Sequence, residues 1–358
     1  MAYRFEDIEK IKQLPFFFII GRPRSGTTLL STLFDAHPNV IIPFESPVIL
    51  QLSSKYLPLK SWSEQHIHHF INDLFSTRKF DRWNIDREAL LDSLLKFRKH
   101  LDFQSAIKIL YLHFPSFFPK ENILLLGDKN PIYSLFFKKI YHIFPDARFI
   151  HLIRDYRDNI LSVKKLDFEA PLTSIIAYRW KFSNNLVHRM SILHPEQFYT
   201  IRYEDLINDP ETNLKKLCNF LHIEYQPSVL SFHLYVEERI KKLSEEEARQ
   251  FKKFHSNLLK PVNTSKSGVW KNDMKKRDVK IAESIAGKWA EQFGYERKYR
   301  NINVFYYLMS IPAMLYVRLA YGVYMILSNL PHVIQKRLIH KGPVVARMIT
   351  RMAGKTKK

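Results

Sequence analysis

Five short apolar runs punctuate the first 210 residues, and each ends in a polar turn. "FFFII" (16–20), "NVIIP" (39–43), "ILLLGDKNP" (123–131), "RFIHLIRD" (148–155) and "QFYTIRYEDL" (197–206) read as buried strands. Helical periodicity lies between them, for example in "TLLSTLFDAH" and across 174–193. Strands alternating with helices predict an α/β fold: a central parallel sheet in three layers, with ligands at the carboxyl ends of the strands. Residues 48–118 predict a mainly helical insertion rich in Phe, Tyr, His and Trp. Such an insertion either covers a site and selects its substrate or only completes the core. No internal repeat or low-complexity tract interrupts this pattern.

The last apolar block differs from the others. Residues 304–330 are almost wholly apolar or aromatic, broken by Pro312 and Arg318. A membrane-spanning helix needs about 20 mainly apolar residues, so length permits one. Arg318 near the centre disfavours it. The segment beyond is strongly basic: 301–358 carries nine Lys or Arg and no Asp or Glu, within a chain of net charge +21. The expectation is therefore a domain over 1–300 and a basic, apolar helical extension over 301–358. That extension would lie on an anionic membrane surface. A spanning helix and a soluble core or oligomer helix are the alternatives. Nucleic acid is not expected as a partner, because long apolar runs separate the basic residues and the aromatics sit in apolar blocks.

Two further features bear on location. Cys218 is the sole cysteine, which excludes an internal disulfide framework and a Cys-rich metal site and fits a reducing compartment. The N-terminal "MAYRFEDIEKIKQLP" has no apolar h-region of a secretory signal. The expected location is cytoplasmic, peripheral on the inner face of a membrane.

Candidate chemistry follows the strands. After the first comes "GRPRSGTT" (21–28), nearly the nucleoside-triphosphate loop G-x-x-x-x-G-K-[ST], but with Thr27 where the lysine belongs. Gly21 and Gly26 permit close backbone approach, and the N–H groups of Ser25, Gly26, Thr27 and Thr28 would point outward at a helix start, making an anion site. Arg24 adds a planar donor fork suited to phosphate or sulfate. Without the lysine, the loop suits one terminal phosphate rather than a magnesium triphosphate. After the second strand stands Glu45, the only carboxylate between Asp35 and Glu64 and a candidate general base; a capping or surface glutamate is the plainer alternative. Lys129 ends the third run, where it could meet developing negative charge or simply face solvent. Arg154 ends the fourth, with Ser162 eight residues on; together they could grip a second phosphate. Asp155, Arg157 and Asp158 beside them could equally form local ion pairs.

Taken together, "RPRSGTTLLSTLFDAHP", "GDKNP", "RFIHLIRDYRDNILS" and "RYEDLINDP" resemble the sulfotransferases that use 3′-phosphoadenosine-5′-phosphosulfate (PAPS), most of all the branch with tyrosylprotein and bacterial members. The likeness covers roughly 14–295. It implies a P-loop-like fold and a metal-free sulfuryl transfer that leaves PAP. It implies that Arg24, Ser25, Gly26, Thr27 and Thr28 bind the 5′-phosphosulfate, and that Arg154 and Ser162 bind the 3′-phosphate. Glu45 maps onto the base, Lys129 onto the catalytic lysine, and Tyr203 onto a cofactor-contacting tyrosine; Arg24, Lys129 and the loop N–H groups would stabilise the charge on the departing 5′-phosphate oxygens. Lys266, Ser267, Gly268 and Trp270, in a segment (258–274) that looks like the loop over the adenosine, are looser matches. Histidine serves as base in other branches, so His113 and His151 are also considered; His151 lies inside an apolar strand and His113 has no supporting motif.

One departure limits the likeness. Tyrosylprotein enzymes carry two consecutive glutamates where this chain has Phe44-Glu45, and they begin with a membrane anchor. The membrane-lying extension and the aromatic-rich insertion make the expected acceptor a small-molecule or lipid hydroxyl, sterol-like or otherwise lipophilic, with a glycan or a protein tyrosine as alternatives. Two other classes stay open: a kinase-like NTPase, which lacks the lysine it needs, and an inactive membrane adaptor that retains the fold.

Overall fold

The computed structural model describes residues 7–166, 170–241, 259–301 and 303–328, with the single positions 245, 249 and 330. Its centre is a five-stranded sheet: β1 (Phe16–Ile20), β2 (Val40–Ile41), β3 (Leu125–Lys129), β4 (Arg148–Ile153) and β5 (Phe198–Arg202). The order is β2-β3-β1-β4-β5, and every pairing is parallel. β1 is buried along its whole length, as an apolar run covered on both faces must be. Its side chains alternate between two cores. Phe16, Phe18 and Ile20 join Leu126 and Phe149 on one face; Phe17 and Ile19 join Leu125, Ile150 and Leu152 on the other. The period of two thus separates helix, sheet and helix layers.

The strands fall where the apolar runs predict, with shorter ends. β2 keeps only two residues of the expected 39–43, because the Ile42 N–H turns to Asp35 Oδ1 (3.3 Å) and Pro43 has no N–H to give. β5 stops at Arg202, since Tyr203–Asn208 is already helical.

Between β2 and β3 stand four helices, Val48–Tyr56, Glu64–Phe75, Arg87–Lys96 and Phe103–Leu112. The sequence starts three of them with side-chain caps: Ser63, Asp86 and Asp102 accept backbone N–H bonds from the first turn. Tyr56 and Phe70 from these helices, with Phe80 and Trp83 from the turn between the second and third, belong to the same core as Phe16 and Phe18. The insertion therefore covers one face of the sheet.

The C-terminal apolar block forms two helices, Val304–Met309 and Ile311–Ser328. Pro312 sits at the second position of the latter, where its missing N–H costs little. One face of this helix packs on Thr173–Leu193 and on the segment after β3. Val317 is buried, Tyr321 stacks edge-on to Phe182 (5.0 Å), Tyr324 meets Phe136 (4.9 Å), and Arg318 Nε donates to Tyr178 Oη (2.6 Å). The opposite face exposes Leu315, Leu319, Val323 and Ile326. By length and composition Val304–Ser328 could cross a membrane. The basic stretch 331–358 lies outside the described residues.

Candidate active site

All five strand ends contribute to one region. β1 runs into the 21–26 loop and then the helix Thr27–Asp35. The helix is capped by Gly26, which has no side chain to satisfy the first amides. Gly26 has φ +93°, and a Cβ there would lie 2.4 Å from Tyr203 Cδ2. The second phosphate-loop glycine therefore lies against the first residue after β5. Arg24 is also left-handed, at φ 70°. The loop departs from expectation at Ser25: its N–H closes a turn onto the Arg22 carbonyl (3.1 Å), and Asn159 reaches its Oγ (3.4 Å). The amides at the head of the helix, which no cap side chain satisfies, remain the candidate donors to an anion.

The ends of β2 and β3 meet at a carboxylate. Lys129 Nζ lies 3.3 Å from Glu45 Oε2 and 3.4 Å from Thr28 Oγ1, so one buried ammonium bridges the candidate base and the loop. A second lysine, which sequence reasoning missed, holds the other oxygen: Lys79 Nζ to Glu45 Oε1, 2.5 Å. Burial pushes the Glu45 carboxyl up, but Lys129 and Lys79 outweigh it and hold it at about 2. Phe44 packs against Phe114 (5.5 Å) and Phe117 (5.1 Å), giving the position before Glu45 an aromatic surround.

The end of β4 builds a second cluster. Arg24 Nε donates to Ser162 Oγ (3.1 Å), Arg154 Nη1 donates to the Arg24 carbonyl (2.8 Å), and Arg154 Nη2 donates to the Lys266 carbonyl. Arg154 also lies over the Tyr203 ring (4.8 Å). Partial burial and the neighbouring Arg154 lower the Arg24 guanidinium, the signature of cations gathered where an anion would relieve them. Arg154 Nε is buried with no hydrogen-bond partner. These groups fit a polyanionic ligand.

Asp158 is one of three residues, with Asp155 and Arg157, whose role the sequence left ambiguous. It accepts from the N–H groups of Gly268 (2.7 Å) and Trp270 (2.8 Å) and so fastens the 266–270 loop beside Arg154. Arg157 pairs with Asp155 and Glu283 and stacks on Trp270 at 3.6 Å. Both are the local ties that a dense charge cluster allowed. Ser267 and Gly268 also border a 520 Å³ cleft shared with Arg157, Arg202 and Tyr295. It contains neither Glu45 nor Lys129.

Neither histidine considered as a base reaches Glu45. His113 bonds Ser93 (2.9 Å) within the insertion, and His151 is fully buried against Asn184 (3.0 Å). Burial lowers both imidazoles, His151 to about 4. Among the described residues there is no group of three or more His, Cys, Asp or Glu able to hold a metal ion.

Known proteins resemble this chain at the same elements. A protein-tyrosine sulfotransferase of Drosophila melanogaster is 24% identical over 265 residues, 72% of this chain and 47% of its own length. The chain thus spans about half of that relative. An omega-hydroxy-beta-dihydromenaquinone-9 sulfotransferase of Mycobacterium bovis is 26% identical over 246 residues, 58% of this chain and 62% of its own. Among solved structures, the sulfotransferase domain of the Synechococcus PCC 7002 olefin synthase superposes with a TM-score of 0.51 at 20% identity, covering 79% of this chain and 95% of that domain. It shares the fold. The sulfotransferase family model matches residues 15–227, from the start of β1 past the end of β5, and the chain belongs to that family.

Proposed function

We propose that this protein transfers the sulfuryl group of PAPS to the hydroxyl of a lipophilic alcohol, releasing PAP. The carrying observation is the position of Lys129, within 3.4 Å of both a carboxylate and the phosphate loop. PAPS supplies the sulfur centre: a bond forms from the acceptor oxygen, and the bond to the 5′-phosphate oxygen breaks with its electron pair going to that phosphate. The amides at Gly26, Thr27 and Thr28 would hold the 5′ end. Arg154 and Ser162 would take the 3′-phosphate, with Arg24 between the two anions. The Lys266–Gly268 loop and Tyr203 would flank the nucleoside. Glu45 accepts the acceptor proton, and Lys129 neutralises the departing oxygen. The three N–H donors of Lys129 can face both, but as negative charge builds on that oxygen the ammonium is drawn toward it, so its hold on Glu45 weakens and the carboxylate grows more basic when the proton must move.

Three features support a lipophilic acceptor on a membrane: the aromatic surround of Phe44, the exposed apolar row on Ile311–Ser328, and the basic composition of 301–358. A relative named for a hydroxylated menaquinone points the same way. The proposed location is peripheral, on the inner face of a membrane, in a reducing compartment that suits the lone buried Cys218. Protein tyrosine is the second reading, favoured by the Drosophila relative's name.

The test is incubation with labelled PAPS and a total lipid extract, with mass spectrometry of the products. A sulfated lipid alcohol is expected. Glu45→Gln should abolish its formation while PAP still binds. Sulfation of tyrosine peptides alone would move the acceptor to the second reading, and near-normal turnover by Glu45→Gln would remove Glu45 from the role of base.

A further inference from the structure

Glu45 has little to keep it in place. It follows a two-residue strand, on a loop, and its side chain is 32% exposed. A glutamate with three free torsions does not hold a carboxylate still by itself. Lys129 touches it, but Lys129 is also the cation needed at the departing oxygen. A second support must come from elsewhere, and the insertion supplies one.

Residues 77–83 of the insertion are stitched to the chain on both sides of Glu45. Before it, the Phe44 carbonyl accepts from Trp83 Nε1 (2.7 Å). After it, Ser46 Oγ donates to the Arg78 carbonyl (3.0 Å). Trp83 and Ser46 are both fully buried. Between these ties Lys79 adopts φ 65°, the left-handed region that a lysine seldom enters. That backbone delivers its ammonium to Glu45 Oε1 at 2.5 Å. A backbone conformation disfavoured for lysine, fixed on both flanks and ending on a candidate base, is the kind of local strain that marks functional positions.

We infer that Lys79 is a positioning residue for the transfer: it holds one carboxylate oxygen of Glu45 so that the other stays turned toward the reacting centre when Lys129 moves its hydrogen bond to the donor. The inference rests on the reading of Glu45 as base. Lys79 touches neither donor nor acceptor in this role. Its ammonium anchors the carboxylate through the catalytic cycle, while Lys129 is the cation that changes partner. The charged or titratable groups facing Glu45 are Lys79 from the insertion, Lys129 from β3, and the Tyr133 hydroxyl from the turn after β3.

Two measurements on the whole chain test it. The first needs no ligand: a ¹³C-NMR titration of the Glu45 carboxyl, assigned by its loss in Glu45→Gln. The wild-type carboxyl should stay ionised until about pH 2. In Lys79→Met the midpoint should rise toward the ordinary carboxylate range, and in Lys79→Arg it should return. The second is steady-state sulfation of a long-chain primary alcohol with labelled PAPS. Lys79→Met should lower kcat roughly tenfold or more, as misplaced catalytic groups do, with the KM for PAPS and the affinity for PAP unchanged; Lys79→Arg should recover most of the loss. If Lys79→Met does not fold, Lys79→Gly deletes the same charge while relaxing the left-handed backbone, and the same readouts apply. An unshifted titration, or an unchanged kcat where Glu45→Gln is inactive, overturns the role of Lys79. Loss of PAP binding also overturns it, since Lys79 would then belong to the donor site. Normal turnover by Glu45→Gln refutes the base itself and is a separate outcome.

Discussion

Gly26 meets two demands at once. Its φ of +93° is a conformation L side chains rarely adopt, and its missing Cβ leaves room for the Tyr203 ring. Tyr203 in turn lies under the Arg154 guanidinium. One glycine therefore sets the spacing between the loop after β1 and the residues after β4 and β5. Gly26→Ala should cost roughly 1–3 kcal/mol of stability from backbone strain, more if the ring cannot shift, and should weaken PAP binding because the loop moves away from Arg154. Urea denaturation and calorimetry with PAP would check both; an Ala variant matching wild type in each would show that the loop adapts. Gly26, Glu45, Lys129 and Arg154 were legible in sequence because each stands at or soon after the end of an apolar run, at positions that the sheet itself brings together; Tyr203 was singled out by the family resemblance alone. Lys79 was not legible. It lies in "STRKFDRW", among ordinary polar residues, and only the ties from Trp83 and Ser46 bring it to Glu45.

At the scale of elements, the sheet was readable because parallel strands buried on both faces are written as unbroken apolar runs. Their ends were less so, since Asp35 and the Tyr203 helix decide where β2 and β5 stop. The least readable element is the 264–270 loop. It has no periodicity, and its place depends on Asp158, more than a hundred residues earlier. Two backbone N–H groups, of Gly268 and Trp270, end on that one carboxylate. Removing it leaves two amides unpaired, each worth roughly 1–3 kcal/mol where water cannot replace the bond. Asp158→Ala should therefore raise the KM for PAPS and weaken PAP binding on the order of tenfold or more, while kcat at saturating PAPS stays near normal, because Glu45, Lys129 and Thr28 do not depend on the loop. A fall in kcat with unchanged KM would show that the loop acts on the transfer step instead.

At the scale of the whole molecule, the C-terminal helix has two apolar faces, one packed on the protein and one exposed. Tyr321 and Tyr324 reach the segment that follows Lys129, bonding the Leu135 carbonyl (3.4 Å) and packing on Phe136. Arg318, which argued against a spanning helix from sequence, is tied to Tyr178 on the body of the protein. These contacts lay the helix along the globular domain, against the turn that follows Lys129. Leu315, Leu319, Val323 and Ile326 then point away from it as a continuous row. A row of this kind, with a chain that turns basic after it, suits an anionic bilayer better than water. If the proposed membrane role is right, the protein should float with phosphatidylserine-containing vesicles and float less with neutral ones or in high salt. Leu319→Glu with Val323→Glu should lower partitioning by about a hundredfold or more, since each apolar side chain buried contributes about 1.5–3 kcal/mol. PAP affinity should not change, because neither residue faces the site. Undiminished flotation of the double variant would take the row out of membrane binding, and a self-association seen in sedimentation and lost in the same variant would make it a contact between copies of this chain.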